Sequence, residues 1–275
     1  MSMGLRLCSV GVLAAVCFLA PMREASPAEF EDAVVPDAKS ILAAAFANRY
    51  EVDLTSRIEL IIRNGHGEER RRVFQAAYKV IDGRVHSLGR LIWPHHLRGM
   101  AILTIEAANR SHDAFVFLPS LDRVRRISTA QRGDSFFGSD VTYEDLERRR
   151  VDEYEIDGME ASRWQGEAVF LVSARSLKDF SHARVVFVVA RSDAAILETR
   201  YYKRGQDEAY RLISSPRGQM VSQAGHVLPT RLTVYNRIRG TSTEVIFENL
   251  RVNPKLDDRL FSVTMLERDR VLLRD

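Results

Sequence analysis

Seven histidines and the stretch SFFGSDVTYEDLERRR, Ser135 to Arg150, hold the residues of this chain best suited to chemistry. A metal ion or a proton relay needs several such groups converging on one face. His95 and His96 are adjacent, and neighbours on a strand point to opposite faces. His66 falls in a turn, while His86, His112, His182 and His226 are isolated in sequence. No His-x-x-x-His, Glu-x-x-His or His-x-Asp spacing occurs. No Gly-x-Ser-x-Gly elbow presents a serine nucleophile. Gly138 to Asp140 is too short for a phosphate cradle, and Asp140 would repel phosphate. The expectation is a chain with no catalytic residue, no metal site and no cofactor, not an enzyme. A serine, a histidine and an acid assembled only by folding remain open.

The acids and arginines of the stretch have a structural reading. Thr142 to Asp145 has the form of a capping box, opening a helix expected over Thr142 to Arg150. Glu144 and Asp145 would occupy its first turn and Arg148 to Arg150 its last, as the helix dipole favours. Arg125, Arg126, Asp140, Tyr143, Glu144 and Asp145 are then a network fixing loop and helix against a sheet. Recognition of a headgroup at a rim is the other reading.

The elements that would position these residues are mainly strands. Residues 37–49 predict a helix, with Ile41, Leu42, Ala45 and Phe46 on one stripe. From Glu51 the period changes to two. Val52, Leu54, Ile58, Leu60 and Ile62 share a face, and Phe74, Ala76, Tyr78 and Val80 are in phase on the returning strand. Short β-branched or aromatic runs such as MAILTIEA, DAFVFLP, ARVVFVVAR and TSTEVIFENLRV continue to the end, punctuated by Gly, Asn, Asp or Pro. Only a turn near Asn253 to Asp258 adds helical character. With no βαβ rhythm, about a dozen close-spaced strands predict one antiparallel sheet that twists and curls. So few helical pieces cannot obviously fill its concave side. A cavity follows, or else an ordinary packed barrel or sandwich core.

The N-terminus bears on location. Arg6 precedes an unbroken apolar run from Leu7 to Ala20, Pro21 ends it, and Ser26-Pro27-Ala28 is a small-x-small cleavage pattern. This is the layout of a secretory signal peptide over residues 1–28, leaving residues 29–275 as a single domain in the periplasm. Both cysteines, Cys8 and Cys17, lie within that leader. Forty Lys and Arg against 37 Asp and Glu leave a formal charge of +3. The basic residues are scattered among acids, which argues against a nucleic-acid partner. Only five are lysines; genome composition or the planar donor fork of arginine could each explain that.

WPHHLRGMAIL (Trp93 to Leu103), FLPSLDRVRRI (Phe117 to Ile127) and SFFGSDVTYEDL (Ser135 to Leu146) resemble the LolA-like outer-membrane lipoprotein-sorting proteins, specifically their longer branch. PTRLTVYN (Pro229 to Asn236) and LFSVTMLER (Leu260 to Arg268) are similar too, and Met100 departs from the small hydroxyl residue expected there. The resemblance implies a strongly curved antiparallel half-barrel, open along one side and covered by a few short helices, enclosing a hydrophobic cavity for acyl chains. Trp93, Phe115, Phe117, Phe136, Phe137, Trp164, Phe170 and Phe187 are the aromatic residues expected to include the cavity wall. The cargo implied is a lipoprotein or lipid, shuttled between inner and outer membrane with transient membrane contact. A resistance-nodulation-division-type inner-membrane exporter is a plausible partner. A cell-envelope adaptor that binds protein rather than lipid is the alternative.

Overall fold

Alternating apolar and polar residues run through most of the chain after Asp53, and the computed structural model turns them into one large antiparallel sheet. It describes residues 37–109, 111–178 and 181–268, all within the unit Pro36–Asp275. The leader expected over residues 1–28 lies outside them.

Helix α1 (Ala38–Tyr50) forms where the apolar stripe predicts it. Asp37 caps it, accepting the backbone N–H groups of Lys39 at 2.9 Å and Ser40 at 3.1 Å. The chain then lays down β1 (Leu54–Arg63), β2 (Glu69–Ile81), β3 (Arg84–Trp93), β4 (Ala101–Glu106), β5 (His112–Leu118) and β6 (Arg123–Ile127), each paired with the next. A second meander supplies β7 (Tyr154–Trp164), β8 (Glu167–Ser176), β9 (Arg184–Ala190), β10 (Ile196–Tyr202) and β11 (Arg211–Ser214). A separate hairpin, β12 (Met220–Gln223) and β13 (His226–Pro229), precedes β14 (Arg231–Asn236) and β15 (Thr241–Val252). β15 pairs with β1, so both meanders join in a 13-stranded sheet that leaves β6 and β7 as its outermost strands. Bulges in β1, β7 and β10 add local bend and twist.

Pairing in register sorts the side chains onto two faces. On the inner face Ile58, Phe74, Leu91, Ile102 and Val116 follow one another across five strands. On the outer face Leu88, Leu103 and Phe117 meet a C-terminal cover made of a 3-10 turn (Asp258–Phe261) and α2 (Val263–Leu266). Buried Arg90 donates to the carbonyls of Met265, Leu266 and Arg268, satisfying the end of that cover. The turn expected near Asn253 to Asp258 is thus the start of a lid on the back of the sheet.

Residues 128–153 join β6 to β7, the opposite edges of the sheet, and they cross on its inner face, where Phe136 stacks on Phe74. This strap is a string of short 3-10 turns, including Phe136–Gly138 and Tyr143–Leu146. The helix expected over Thr142 to Arg150 is a single turn. Thr142 does form the capping box, its N–H 2.7 Å from the Asp145 carboxylate. Extended backbone at Glu147 and Arg150 ends the turn, because Arg148 and Arg150 reach out to carboxylates on other elements. Tertiary ion pairs, rather than a helix dipole, use these arginines.

Candidate functional site

Between the strap, α1 and the middle of the inner face lies a partly enclosed hollow of about 200 Å³. Its floor is built from the in-phase residues of the strands: Ile58 and Leu60 of β1, Phe74 and Ala76 of β2, Leu232 of β14 and Val245 of β15. Phe136, Val141 and Leu146 of the strap form the roof. Half-exposed Tyr50, Leu54, Pro229, Phe247 and Leu250 mark the mouth, at the end of the sheet where β1 begins and β15 ends.

The roof is held by charge. The Asp140 carboxylate accepts from Thr241 Oγ1 at 2.6 Å and Thr243 Oγ1 at 3.0 Å, both on β15, and pairs with Arg239 at 2.6 Å. Arg211 of β11 binds the Asp140 carbonyl at 3.0 Å and forks onto Asp145. Glu144 accepts the Ser181 N–H at 3.2 Å and the Ser181 hydroxyl, with His182 Nδ1 at 3.7 Å. Glu147 pairs with Arg132 and lies 3.6 Å from His112 Nδ1. Glu106 of β4 receives Arg150 at 2.7 Å, with Arg148 3.6 Å away. Breaking one buried pair strands the other charge, which is the costly event in such networks.

The local fields follow from these contacts. Burial raises the Glu144 carboxyl, but His182, Arg149 and Ser181 outweigh it and hold it at about 2. Burial pushes His112 down to about 3, against the pull of Glu106, so its ring stays neutral. His182 is lowered for the same reason, although Glu144 opposes the shift. Burial raises Tyr201 and Tyr154 well above the ordinary phenol range. Ser181, His182 and Glu144 do bring a serine, a histidine and an acid together, but the serine donates to the acid and the His182 side chain is fully buried. A substrate has no access. Among the described residues no three His, Cys, Asp or Glu side chains group as metal ligands.

Of the eight aromatic residues expected on the wall, the structure brings Phe136 and Phe187 to the hollow. Phe115 and Phe117 fall on the outer face, because they alternate with inward-facing Val116, and pack under the C-terminal cover. Phe170 faces inward but is covered by α1, beside Ile41 and Phe46. Trp164 packs with Val169, Val188 and Leu197. Trp93 is exposed at the end of β3. Phe137 lines a second, more open hollow of about 320 Å³ beside β5 and β6, together with Tyr143 and Arg125. In the polar set, Asp140, Glu144 and Asp145 anchor the strap, and Tyr143 packs edge-on against Phe136 at 5.8 Å. Arg125 and Arg126 lie on exposed β6, on Gln131 and Asp113 respectively. Sequence reasoning missed Arg211, Ser181 and His182 as partners of the strap, since nothing local links them to it. The floor residues were legible in the phase of β1 and β2.

A model of a family described as "Uncharacterized protein" matches residues 83–268. No curated protein matches the chain. Among solved structures, a Vibrio parahaemolyticus domain named for outer membrane lipoprotein sorting aligns with a TM-score of 0.78 at 20% identity, over 84% of this chain and 100% of that one. A DUF1329 family protein from Desulfovibrio piger gives 0.76 at 24% identity, over 83% and 97%. A LolA superfamily protein from Nitrosomonas europaea gives 0.67 at 18%, over 84% and 99%. The open antiparallel sheet with its few helices therefore has the LolA-like fold, and the chain belongs to the family whose model spans residues 83–268.

Proposed function

We propose that this protein is a non-enzymatic periplasmic carrier, exported through a cleavable leader, that holds one acyl chain in the hollow beneath the strap and moves it between inner and outer membrane. The observation that carries the reading is a mainly apolar space on the inner face, whose charged lining residues are Arg49 of α1 and Asp145, Arg148 and Arg149 of the strap. At 10–15 Å³ of accessible space per water-sized group, about 200 Å³ accommodates roughly 15 such groups, comparable to one long hydrocarbon chain. Several chains of a lipoprotein would not enter together without movement of the strap.

The energetic case rests on transfer. A buried methylene is worth about 0.8 kcal/mol, so a sixteen-carbon chain faces an aqueous barrier on the order of 12 kcal/mol. A preformed dry floor removes most of it. Release requires that the wall not close tightly on its cargo, which a roof pinned at separate points by Asp140 and Asp145 permits. The likeness to proteins named for lipoprotein sorting supports the same class of cargo. Handover to a membrane exporter of the resistance-nodulation-division type fits such a carrier.

Native mass spectrometry of protein purified from its host envelope tests the reading. One singly inserted lipid per chain is the expected result. Persistently empty protein that co-purifies with an exporter would favour the adaptor alternative and overturn the carrier.

A further inference from the structure

Apolar side chains left in water mark a surface that has a partner, and here the large ones lie along one end of the sheet, with Trp93 and Leu121 as neighbours. Five large apolar side chains stand exposed among the described residues: Trp93, Leu121, Leu177, Tyr235 and Ile238, between 42% and 68% accessible. Trp93 ends β3, Leu121 follows β5, Leu177 follows β8, Tyr235 is near the end of β14 and Ile238 lies in the turn after it. In this antiparallel order β3, β5, β8 and β14 all finish at the same end of the sheet. The opposite end carries the mouth of the hollow and none of the five.

The turns bearing Trp93 and Leu121 touch, since a Cβ on Gly99 would meet Pro119 Cγ at 3.3 Å. Trp93 is also the register partner of Val73, which places the start of β2 beside it. Around the pair, residues 69–72, 93–100 and 119–123 contain five arginines (Arg70, Arg71, Arg72, Arg98 and Arg123) against two acids, Glu69 and Asp122, and of these arginines Arg71 is paired with Glu69 and with Glu59 of β1. Arg237 flanks Ile238 in the same way.

We propose that this rim docks end-on to the surface of an anionic lipid bilayer. Separate apolar tips on short turns suit shallow insertion into a fluid interface better than the continuous groove that would seat a peptide. Tryptophan and tyrosine favour the headgroup level, and flanking arginines meet lipid phosphates. Docking this way holds the mouth away from that bilayer, so cargo is exchanged at the far end. The inference does not depend on the hollow being a lipid site.

The test uses the full chain carrying Trp164→Phe, which leaves Trp93 as its one tryptophan. It is mixed with vesicles of phosphatidylethanolamine containing 30% phosphatidylglycerol, with or without brominated acyl chains, and with phosphatidylcholine vesicles. Docking predicts a blue shift and bromine quenching of Trp93 on the anionic vesicles, weakened by salt. Arg98→Gln and Arg123→Gln are each expected to weaken vesicle binding roughly fivefold, in the same chain and with unchanged melting. Leu121→Glu, at a position two-thirds exposed, weakens it further without unfolding. A Trp93 spectrum that stays solvent-like on every vesicle overturns the proposal, as does shielding of Trp93 only when a protein partner is added. Fluorescent fatty-acid uptake in the Leu121→Glu variant stays normal, separating failure of docking from failure of the carrier reading.

Discussion

Two regions of the inner face start from the same strand pattern and end differently. Over β7, β8 and β9 the face is filled: Phe46 of α1 sits 5.3 Å from Phe187 and 5.9 Å from Tyr154, ring centre to ring centre, with Ile41 and Phe170 in the same cluster. Over β1, β2, β14 and β15 the same kind of surface faces the hollow. The difference lies in the cover. An apolar helix descends until its side chains interlock with the sheet. The strap is fixed at points by buried charges, through Asp140 to β15 and Asp145 to β11. It touches the floor where Phe136 stacks on Phe74, 5.4 Å between ring centres, and to settle further it would have to strip carboxylates of their partners, at several kcal/mol each.

That contrast can be broken most severely at the tethers. Arg211→Met leaves Asp145 buried without its fork, and a loss of about 3–5 kcal/mol is expected in chemical denaturation. Phe46→Ala removes the centre of the filled region and is expected to cost about 3–5 kcal/mol while leaving ligand uptake intact. Phe247→Ala at the mouth removes a ring that is already half exposed, so about 1 kcal/mol or less is expected, with a clear loss of lipid retention. Arg57→Ala on the outer face separates an exposed pair with Glu248 and should shift stability by less than about 1 kcal/mol. Comparable costs at Arg211 and Arg57 in the same melts would mean that the strap's ion pairs are not special.

Acid sharpens the comparison further. His112 is held neutral in the fold, at about 3 against 6.5 when exposed. As pH falls below about 6.5 the unfolded chain takes up a proton that the folded chain refuses, so stability declines from there down to about pH 3. Glu144, depressed from 4.5 to about 2, contributes stability that is present above 4.5 and lost as pH falls through 2. Both groups belong to the strap and its contacts, so the roof should loosen before the α1 side. Hydrogen exchange at pH 4 should open residues 128–153 first, and His112→Gln should flatten the pH dependence of the melt.

Much of the fold was legible because alternation is a local signal. β1 and β2 declared their inner faces through Ile58, Leu60, Phe74 and Ala76, and these residues are the floor. The aromatic residues were less informative, because a bulky ring fits either face. Phe115 and Phe117 were placed by parity with Val116, which the sequence displayed, whereas Phe170 was removed from the hollow by α1, which it did not. β11 and the β12–β13 hairpin, four residues each, are too short for a period to register. The strap's short turns were missed for a tertiary reason: Arg148 and Arg150 satisfy Glu106, over forty residues away in the chain.

The most direct measurement is binding of a fluorescent sixteen-carbon fatty acid to the protein and to its Ile58→Glu variant, with folding checked by circular dichroism. One chain bound per protein, lost when a carboxylate is placed in the floor and retained in Phe170→Leu on the filled side, is the expected result. Equal uptake by the Ile58→Glu variant, or none by the unmodified protein, would contradict the hollow as the seat of cargo.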